Sequence, residues 1–147
     1  MRDFITNIQV KRAISPVTQT NSDTALVSQI IDRQGYDALA FIIAMGGLTD
    51  ADATFAVTVD EGDASDLTGS NAVAAVDLIS QNSLGALTAA GFTFASDDQV
   101  RKIGYVGGKR YVRLTITPTG NNAGAASLSV TAILAKPTLL PVTQATA

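Results

Sequence analysis

The chain has 147 residues and a formal net charge of −3, and it contains neither cysteine nor histidine. This length suits one domain, and the missing cysteines exclude disulfide bonds and thiolate metal sites. The missing histidines remove the usual general base, the commonest zinc ligand and the usual pH switch. A Ser-His-Asp or Cys-His hydrolase is therefore excluded, and we do not expect an enzyme.

No segment of the chain indicates a membrane span or a nucleic-acid coat. The longest apolar runs, such as Ala38 to Met45, are shorter than the ~20 residues that a membrane helix requires. The N-terminal residues MRDFITNIQVKR lack the uninterrupted apolar stretch of a secretory signal. A chain of net negative charge also lacks the concentrated positive face that phosphate binding requires. We expect neither a membrane nor a nucleic-acid partner.

The first 22 residues are predicted to form an extended N-terminal arm. Ile8 and Val10 alternate with polar neighbours as in a strand, but Ser15-Pro16 is expected to end that strand before a polar loop. Such a segment is either an arm that pairs with a neighbouring molecule or a poorly ordered terminus. The folded domain is assigned to residues 23–136.

Three runs in the middle of the chain are typical of β-strands. Thr24 to Asp32 is short and β-branched at its end, which favours a strand over a helix. Ala38 to Met45 is apolar on both faces, as in a strand that is covered on both sides, and it is expected to stop at Gly46-Gly47. Thr54 to Asp60 alternates, so one of its faces is expected to enter the core.

The clearest local pattern lies between Gln99 and Pro118. Two β-rich runs flank Gly107-Gly108, which predicts a hairpin with a type I′ turn because glycine tolerates a positive φ at both positions. After this link Val112, Leu114 and Ile116 alternate with polar residues. We therefore expect the aliphatic face of this strand to lie in the core.

The C-terminal part combines a last strand with an extended tail. Ser127 to Ala135 alternates, and the tail at residues 137–147 contains Pro137 and Pro141, which disfavour a helix. Eight or slightly more strands and no long helix predict an all-β fold of two antiparallel sheets packed as a sandwich. We favour a jelly roll, and the alternative is an immunoglobulin-like sandwich that lacks its Cys and Trp markers.

Charge is distributed unevenly along the chain. No Lys or Arg lies between Arg33 and Arg101, although ten of the thirteen acidic residues do. In the first interpretation the acidic residues lie in solvated loops and the cations form a charged strand face. In the second interpretation acidic loops on one subunit bind basic residues on another. In the second interpretation the hairpin cations are surplus to folding. The candidate partner-contact residues of arm, hairpin and tail are then Arg2, Lys11, Arg12, Arg101, Lys102, Lys109, Arg110, Arg113, Pro137 and Pro141.

Two motifs are similar to known ligand sites without matching them. Asp60, Asp63 and Asp66 offer oxygen ligands for Ca²⁺, but their spacing differs from that of an EF-hand. Gly104 to Lys109 (GYVGGK) is similar to a phosphate-binding loop, but a strand follows it where that loop requires a helix. We expect no cofactor and no small-molecule substrate, and we keep a bound cation as an alternative.

Four segments that together cover most of the chain carry a family resemblance. They are the arm up to Ser15-Pro16, TFAVTVDEGDASD at 54–66, RKIGYVGGKRYVRLTITPTG at 101–120 and AILAKPTLLPV at 132–142. The pattern resembles the jelly-roll decoration or cement proteins of tailed bacteriophages, which coat and lock the capsid shell. The resemblance implies a non-enzymatic virion protein, made in the host cytoplasm, that binds the major capsid protein and copies of itself as a homo-oligomer. The alternatives are a carbohydrate-binding sandwich module and another virion part, such as a tail, neck or coat subunit.

Overall fold

The computed structural model describes residues 3–80, 83–84 and 90–144, with the backbone alone described at 83–84. Within these residues the chain forms twelve strands: β1 (Ile8–Thr20), β2 (Leu26–Val27), β3 (Ile31–Asp32), β4 (Tyr36–Leu48), β5 (Thr54–Gly62), β6 (Asn71–Ala72), β7 (Leu78–Ser80), β8 (Ser83–Leu84), β9 (Phe92–Thr93), β10 (Val100–Tyr105), β11 (Tyr111–Thr119) and β12 (Ala125–Pro137). Short 3-10 turns occupy Ile5–Asn7, Ala75–Asp77 and Phe94–Ser96. None of the described elements is a helix long and apolar enough to cross a membrane.

The strands form two antiparallel sheets. Sheet A has the order β1-β12-β4-β10-β7-β8, and sheet B has the order β2-β11-β5-β6, to which β3 and β9 add short pairings. The first long strand pairs with the last, β2 pairs with β11, β4 with β10 and β5 with β6. A long antiparallel hairpin rolled up so that its pairs alternate between two sheets is a jelly roll. The predicted all-β sandwich is confirmed, and its strand order is that of the jelly roll.

The core lies between the two sheets and follows the period of two in the sequence. Phe41 and Ile43 of β4 face inward and are at most 1% exposed. Val112, Leu114 and Ile116 of β11 are fully buried, as their alternation predicts. Each of these side chains contributes ~1.5–3 kcal/mol to stability, so a one-residue slip of register would cost several kcal/mol.

The predicted hairpin at Gly107-Gly108 is wrong. β10 pairs with β4 and β7 in sheet A, whereas β11 pairs with β5 in sheet B, so residues 106–110 cross from one sheet to the other. Neither glycine has a positive φ, and no type I′ turn forms. Both flanking strands are confirmed, but a two-glycine link between alternating strands suits a sheet-to-sheet crossover as well as a hairpin. The pairing of β10 with β4 and of β11 with β5 decides between a hairpin and a crossover, and both partner strands are distant in sequence from the link.

Residues 8–20 belong to sheet A and do not form a separate arm. β1 pairs with β12 from Ile8 to Thr20, with irregular register between Arg12 and Val17. The expectation that Ser15-Pro16 ends the strand is therefore wrong. Proline lacks an N–H to donate, and an irregular edge strand can accommodate it without losing a ladder hydrogen bond elsewhere.

Two other strands run past their predicted ends. β4 continues through Gly46-Gly47 to Leu48, and its outward residues are partly exposed, so the expectation that both of its faces are covered is wrong. β12 continues to Pro137, which pairs with Tyr36 and is therefore a strand residue and not part of the tail. Conversely, the predicted strand from Thr24 to Asp32 is divided into the short strands β2 and β3.

Candidate functional site

The outer face of sheet A carries mainly aliphatic side chains. The strand registers align one outward residue from each of β1, β12, β4, β10 and β7 in a row: Val10, Ile133, Ala40, Gly104 and Ile79. A second row holds Arg12, Thr131, Ile42 and Lys102, and a third holds Ser129, Ala44 and Val100. We define these three rows as face A. They contain two cations and no aromatic or acidic side chain.

One apolar run of the sequence indicates face A, although we interpreted this run as a strand covered on both sides. Ala38 to Met45 is apolar at every position, and this pattern suggested a strand covered on both sides. In the structure Leu39, Phe41 and Ile43 fill the core, whereas Ala40 and Ile42 alternate with them and lie partly exposed on face A. A strand that is apolar on both faces therefore indicates either burial within the protein or an uncovered apolar surface.

The outer face of sheet B is mainly polar, although the exposed apolar residues Val27 and Ala56 pair there with Thr115 and Thr117. Along β11 and β5 the outward pairs are Arg113 with Asp60 and Thr115 with Thr58, and Thr117 continues the row. The Arg113 guanidinium lies 3.2 Å from the Asp60 carboxylate. We define these five polar residues as face B. Its charges neutralise each other, and its hydroxyl groups can bind water, so this face is suited to solvent.

The other cations near the crossover also form ion pairs within the chain. Lys109 Nζ lies 2.6 Å from the Asp63 carboxylate. Arg110 binds Asp32 through two hydrogen bonds, with Nε donating at 2.9 Å and Nη2 at 2.8 Å. If acidic loops of one subunit bound the cations of another, these cations would find their partners in a second chain. In the structure their acidic partners lie beside them in the same chain. Pairs as exposed as these contribute little to stability but hold the loops in one arrangement.

Replacing Arg110 with glutamine is expected to lower the melting temperature slightly, and only in the pH range where Asp32 is ionised. The Arg110 guanidinium holds the pKa of Asp32 below its ordinary value of 3.8. A lowered carboxyl pKa contributes stability above the ordinary value and loses it as the pH falls through the lowered value. Thermal melts above and below pH 3.8 would measure this difference. Lys136→Gln, which removes the same charge elsewhere, is the control, and an equal pH profile in both variants would contradict the prediction.

The carboxylates considered for a cation are engaged by protein groups. Asp60 pairs with Arg113 and Asp63 pairs with Lys109, while Asp66 accepts hydrogen bonds from the N–H and hydroxyl of Thr68 at 2.9 Å and 2.7 Å. In the part of the chain that the structure describes, no group of three acidic side chains is arranged to hold a metal ion. These residues close the loop after β5 through their own contacts.

The remaining candidate contact residues lie at separate places. Arg12 and Lys102 lie on face A, and Lys11 and Arg101 contact neighbouring strands or turns. Pro137 and Pro141 lie near the C-terminus, and Arg2 is outside the described residues. Lys11 Nζ donates to the backbone oxygen of Asp32 at 3.2 Å, and Arg101 donates to the Ser96 hydroxyl at 3.2 Å. Lys11 thus meets Arg110 at Asp32, and Arg12 and Lys102 share a row of face A, while the other described candidates lie apart from these pairs.

Tyr105 is a buried side chain that contacts the crossover between the sheets. Its side chain is 1% exposed, and a Cβ atom added at Gly107 would lie 2.5 Å from its hydroxyl oxygen. The hydroxyl donates to the Glu61 carboxylate and accepts the Lys109 N–H at 2.9 Å. Burial, followed by the hydrogen bond to Glu61, raises the pKa of Tyr105 above its ordinary value. The hydroxyl therefore remains a donor at physiological pH.

Arg33 binds the backbone of the same crossover. Its guanidinium carbon lies 5.1 Å from the centre of the Tyr105 ring. Its Nε donates to the Lys109 carbonyl at 2.5 Å, and its Nη2 donates to the Gly107 carbonyl at 2.7 Å. Arg33, Glu61 and Tyr105 carry no signal in the sequence, because each is distant in sequence from at least one partner. The glycine-rich segment is thus a supported crossover and not a phosphate-binding loop.

Comparison with known proteins gives a likeness of fold. No family model and no curated protein sequence matches the chain. The PBSX exported protein XepA is similar in structure, with a TM-score of 0.53 and 12% identity over 94% of this chain and 41% of XepA. The SPBc2 prophage-derived protein YomS has a TM-score of 0.44, 9% identity and coverage of 83% and 94%. The xylan-binding module CBM15 has a TM-score of 0.36, 13% identity and coverage of 93% and 95%.

Proposed function

We propose that the protein is a structural component of a bacteriophage particle that binds the outside of the capsid through face A and stabilises the shell. It acts by binding and not by catalysis. The observation that carries this proposal is the contrast between the two outer faces of the sandwich. Face A is mainly aliphatic, with Arg12 and Lys102 confined to one of its three rows, whereas face B is polar and its charges are paired with each other.

A single exposed apolar residue is common on soluble proteins, but a continuous apolar area marks a binding surface. With strands ~4.8 Å apart and successive outward residues ~6.8 Å apart along each strand, the three rows of face A cover roughly 400 Å². This is about half of the ~800 Å² that each partner contributes to a specific interface. A decoration protein binds a shell in many copies, so an interface of this size is sufficient when neighbouring copies add avidity.

The fold likeness to the PBSX exported protein XepA supports the assignment to a phage particle. The chain spans 41% of the length of XepA, so the likeness concerns one part of that protein. Carbohydrate binding is the alternative. Sugar platforms use aromatic rings, and in face A these are absent, while Tyr111 beside face B is covered by the Arg110 guanidinium at 4.9 Å. A glycan array tests this alternative directly.

The composition of purified virions tests the proposed function. Particles produced by cells that carry the gene would be banded by density and analysed by mass spectrometry and electron cryomicroscopy. We expect the protein in stoichiometric amounts, with sandwich-shaped density outside the shell and sheet A towards it. Absence from banded particles would contradict a virion role, and density confined to the tail or neck would contradict the capsid role.

A further inference from the structure

The C-terminal tail, described at residues 138–144, folds back onto the exposed edge of β1. The Val142 N–H donates to the Thr6 carbonyl at 2.9 Å. The side-chain amide of Gln144 contacts both backbone groups of Val10, accepting its N–H at 3.1 Å and donating to its carbonyl at 2.7 Å. A strand edge presents unpaired N–H and C=O groups, and here a primary amide satisfies them in place of a neighbouring strand. We call these contacts the tail clip.

A second glutamine covers the same edge further along β1. The backbone N–H of Gln29 donates to the Ala13 carbonyl at 2.9 Å. Its side-chain amide, in the orientation that its neighbours require, donates to the Arg12 carbonyl at 3.2 Å. Between the two glutamines lies a cavity of about 410 Å³ that Ile30 and Ile31 help to line. The exposed edge of β1 is therefore covered by two side-chain amides, with a groove between them.

The segment that joins the tail clip to the sandwich has few contacts of its own. Thr138 is held at the end of β12, where its N–H and hydroxyl both donate to the Gly35 carbonyl at 2.9 Å. Leu139 and Leu140 follow with exposures of 84% and 59%. Next to Thr6, the N-terminal side chains Phe4 and Ile5 are exposed by 63% and 75%. Both termini thus present large apolar side chains at one corner of the molecule.

We propose that this tail is exchanged between copies of the chain, so that residues 142–144 of one copy bind Thr6 and Val10 of a second copy. The partner is a second copy because this tail already fits the β1 edge. The tail of one molecule can make with a second molecule the same contacts that it makes within its own chain. Release of the clip breaks three hydrogen bonds, and association covers apolar side chains that a single copy leaves exposed. The exchange links subunits directly and goes beyond capsid binding.

Introduced cysteines test the exchange cleanly, because the chain contains no cysteine. Thr6→Cys protein would be mixed with Val142→Cys protein under mild oxidation and analysed for covalent dimers. We expect about tenfold more dimer than from Thr6→Cys mixed with Thr115→Cys, since the clip raises the local concentration of the paired cysteines. Gln144→Ala in the Val142→Cys chain should remove this excess. The double variant Thr6→Cys/Val142→Cys is the reference. If it closes within one chain while the mixed proteins stay monomeric, the exchange is refuted.

A peptide provides a readout that does not depend on disulfide geometry. A fluorescent peptide of residues 136–144 would be titrated with the full chain carrying Gln144→Ala, whose own tail no longer competes for the edge. We expect saturable binding that is lost when the peptide carries the same substitution. Failure of the unmodified peptide to bind would overturn the proposal. Both assays use purified protein without virions, so their outcome is separate from that of the virion analysis.

Discussion

Replacing Ala40 with glutamate is expected to abolish capsid binding and to leave the fold intact. Ala40 lies in the middle of the first row of face A, between Ile133 and Gly104. In the free protein the new carboxylate points to water, but docking removes it from water in an interface whose face A side is mainly aliphatic. Such burial costs several kcal/mol, which corresponds to binding that is weaker by about a hundredfold or more. Co-sedimentation with particles that lack the protein measures this loss.

Thr115→Glu is the matched control for the change at Ala40. Thr115 is an outward residue of a central strand of sheet B, opposite Thr58 on face B. Both substitutions add one carboxylate to the outer face of a sheet, so they should change the melting temperature by similar small amounts. Only the change on face A should affect capsid binding. Equal binding by the two variants would refute face A as the docking surface.

Replacing Tyr105 with alanine is expected to destabilise the protein severely. The side chain is among the largest that are fully buried, and its hydroxyl connects β10, β5 and the crossover. Loss of such a side chain costs ~3–5 kcal/mol of unfolding free energy. Tyr105→Phe retains the ring and should cost ~1–3 kcal/mol, because the Lys109 N–H and the Glu61 carboxylate lose their shared partner. Urea unfolding measures both values.

The two glycines of the crossover provide an internal comparison. A Cβ atom at Gly107 would clash with the Tyr105 ring, whereas a Cβ atom at Gly108 meets no atom within 4 Å. Gly107→Ala should therefore destabilise by ~1–3 kcal/mol, as overpacking does, and Gly108→Ala should be nearly neutral. If Tyr105→Phe and Gly107→Ala both match the unaltered protein in stability, the crossover is not held by Tyr105.

The proposed capsid contact and the proposed tail exchange use different groups of the same strand. The Val10 side chain points outward in the first row of face A, while the Val10 backbone binds Gln144 at the edge. One copy can therefore bind a shell with its sheet face and a neighbour with its sheet edge. Weak contacts of both kinds would reinforce each other in an assembly of many copies.

The alternation of apolar residues was sufficient to predict the strands and the sandwich. Val112, Leu114 and Ile116 are buried as expected because the side-chain period of a strand is a local property of the backbone. The partner of a strand is not a local property. The Gly107-Gly108 link joins two sheets because β10 pairs with β4 and β11 pairs with β5, and Tyr105, Glu61 and Arg33 support the link. These pairings and contacts join residues that are distant in sequence.

The sequence also determined that cations and acidic residues are segregated along the chain, but not where they meet. Arg113 and Asp60 are 53 positions apart, and Arg110 and Asp32 are 78 apart, yet antiparallel pairing places each pair in contact. In the same way the sequence showed that Ala38 to Met45 is apolar on both sides, whereas the tertiary structure decided which side is covered. Faces, edges and ion pairs depend on residues that are distant in sequence, and the fold alone brings them together.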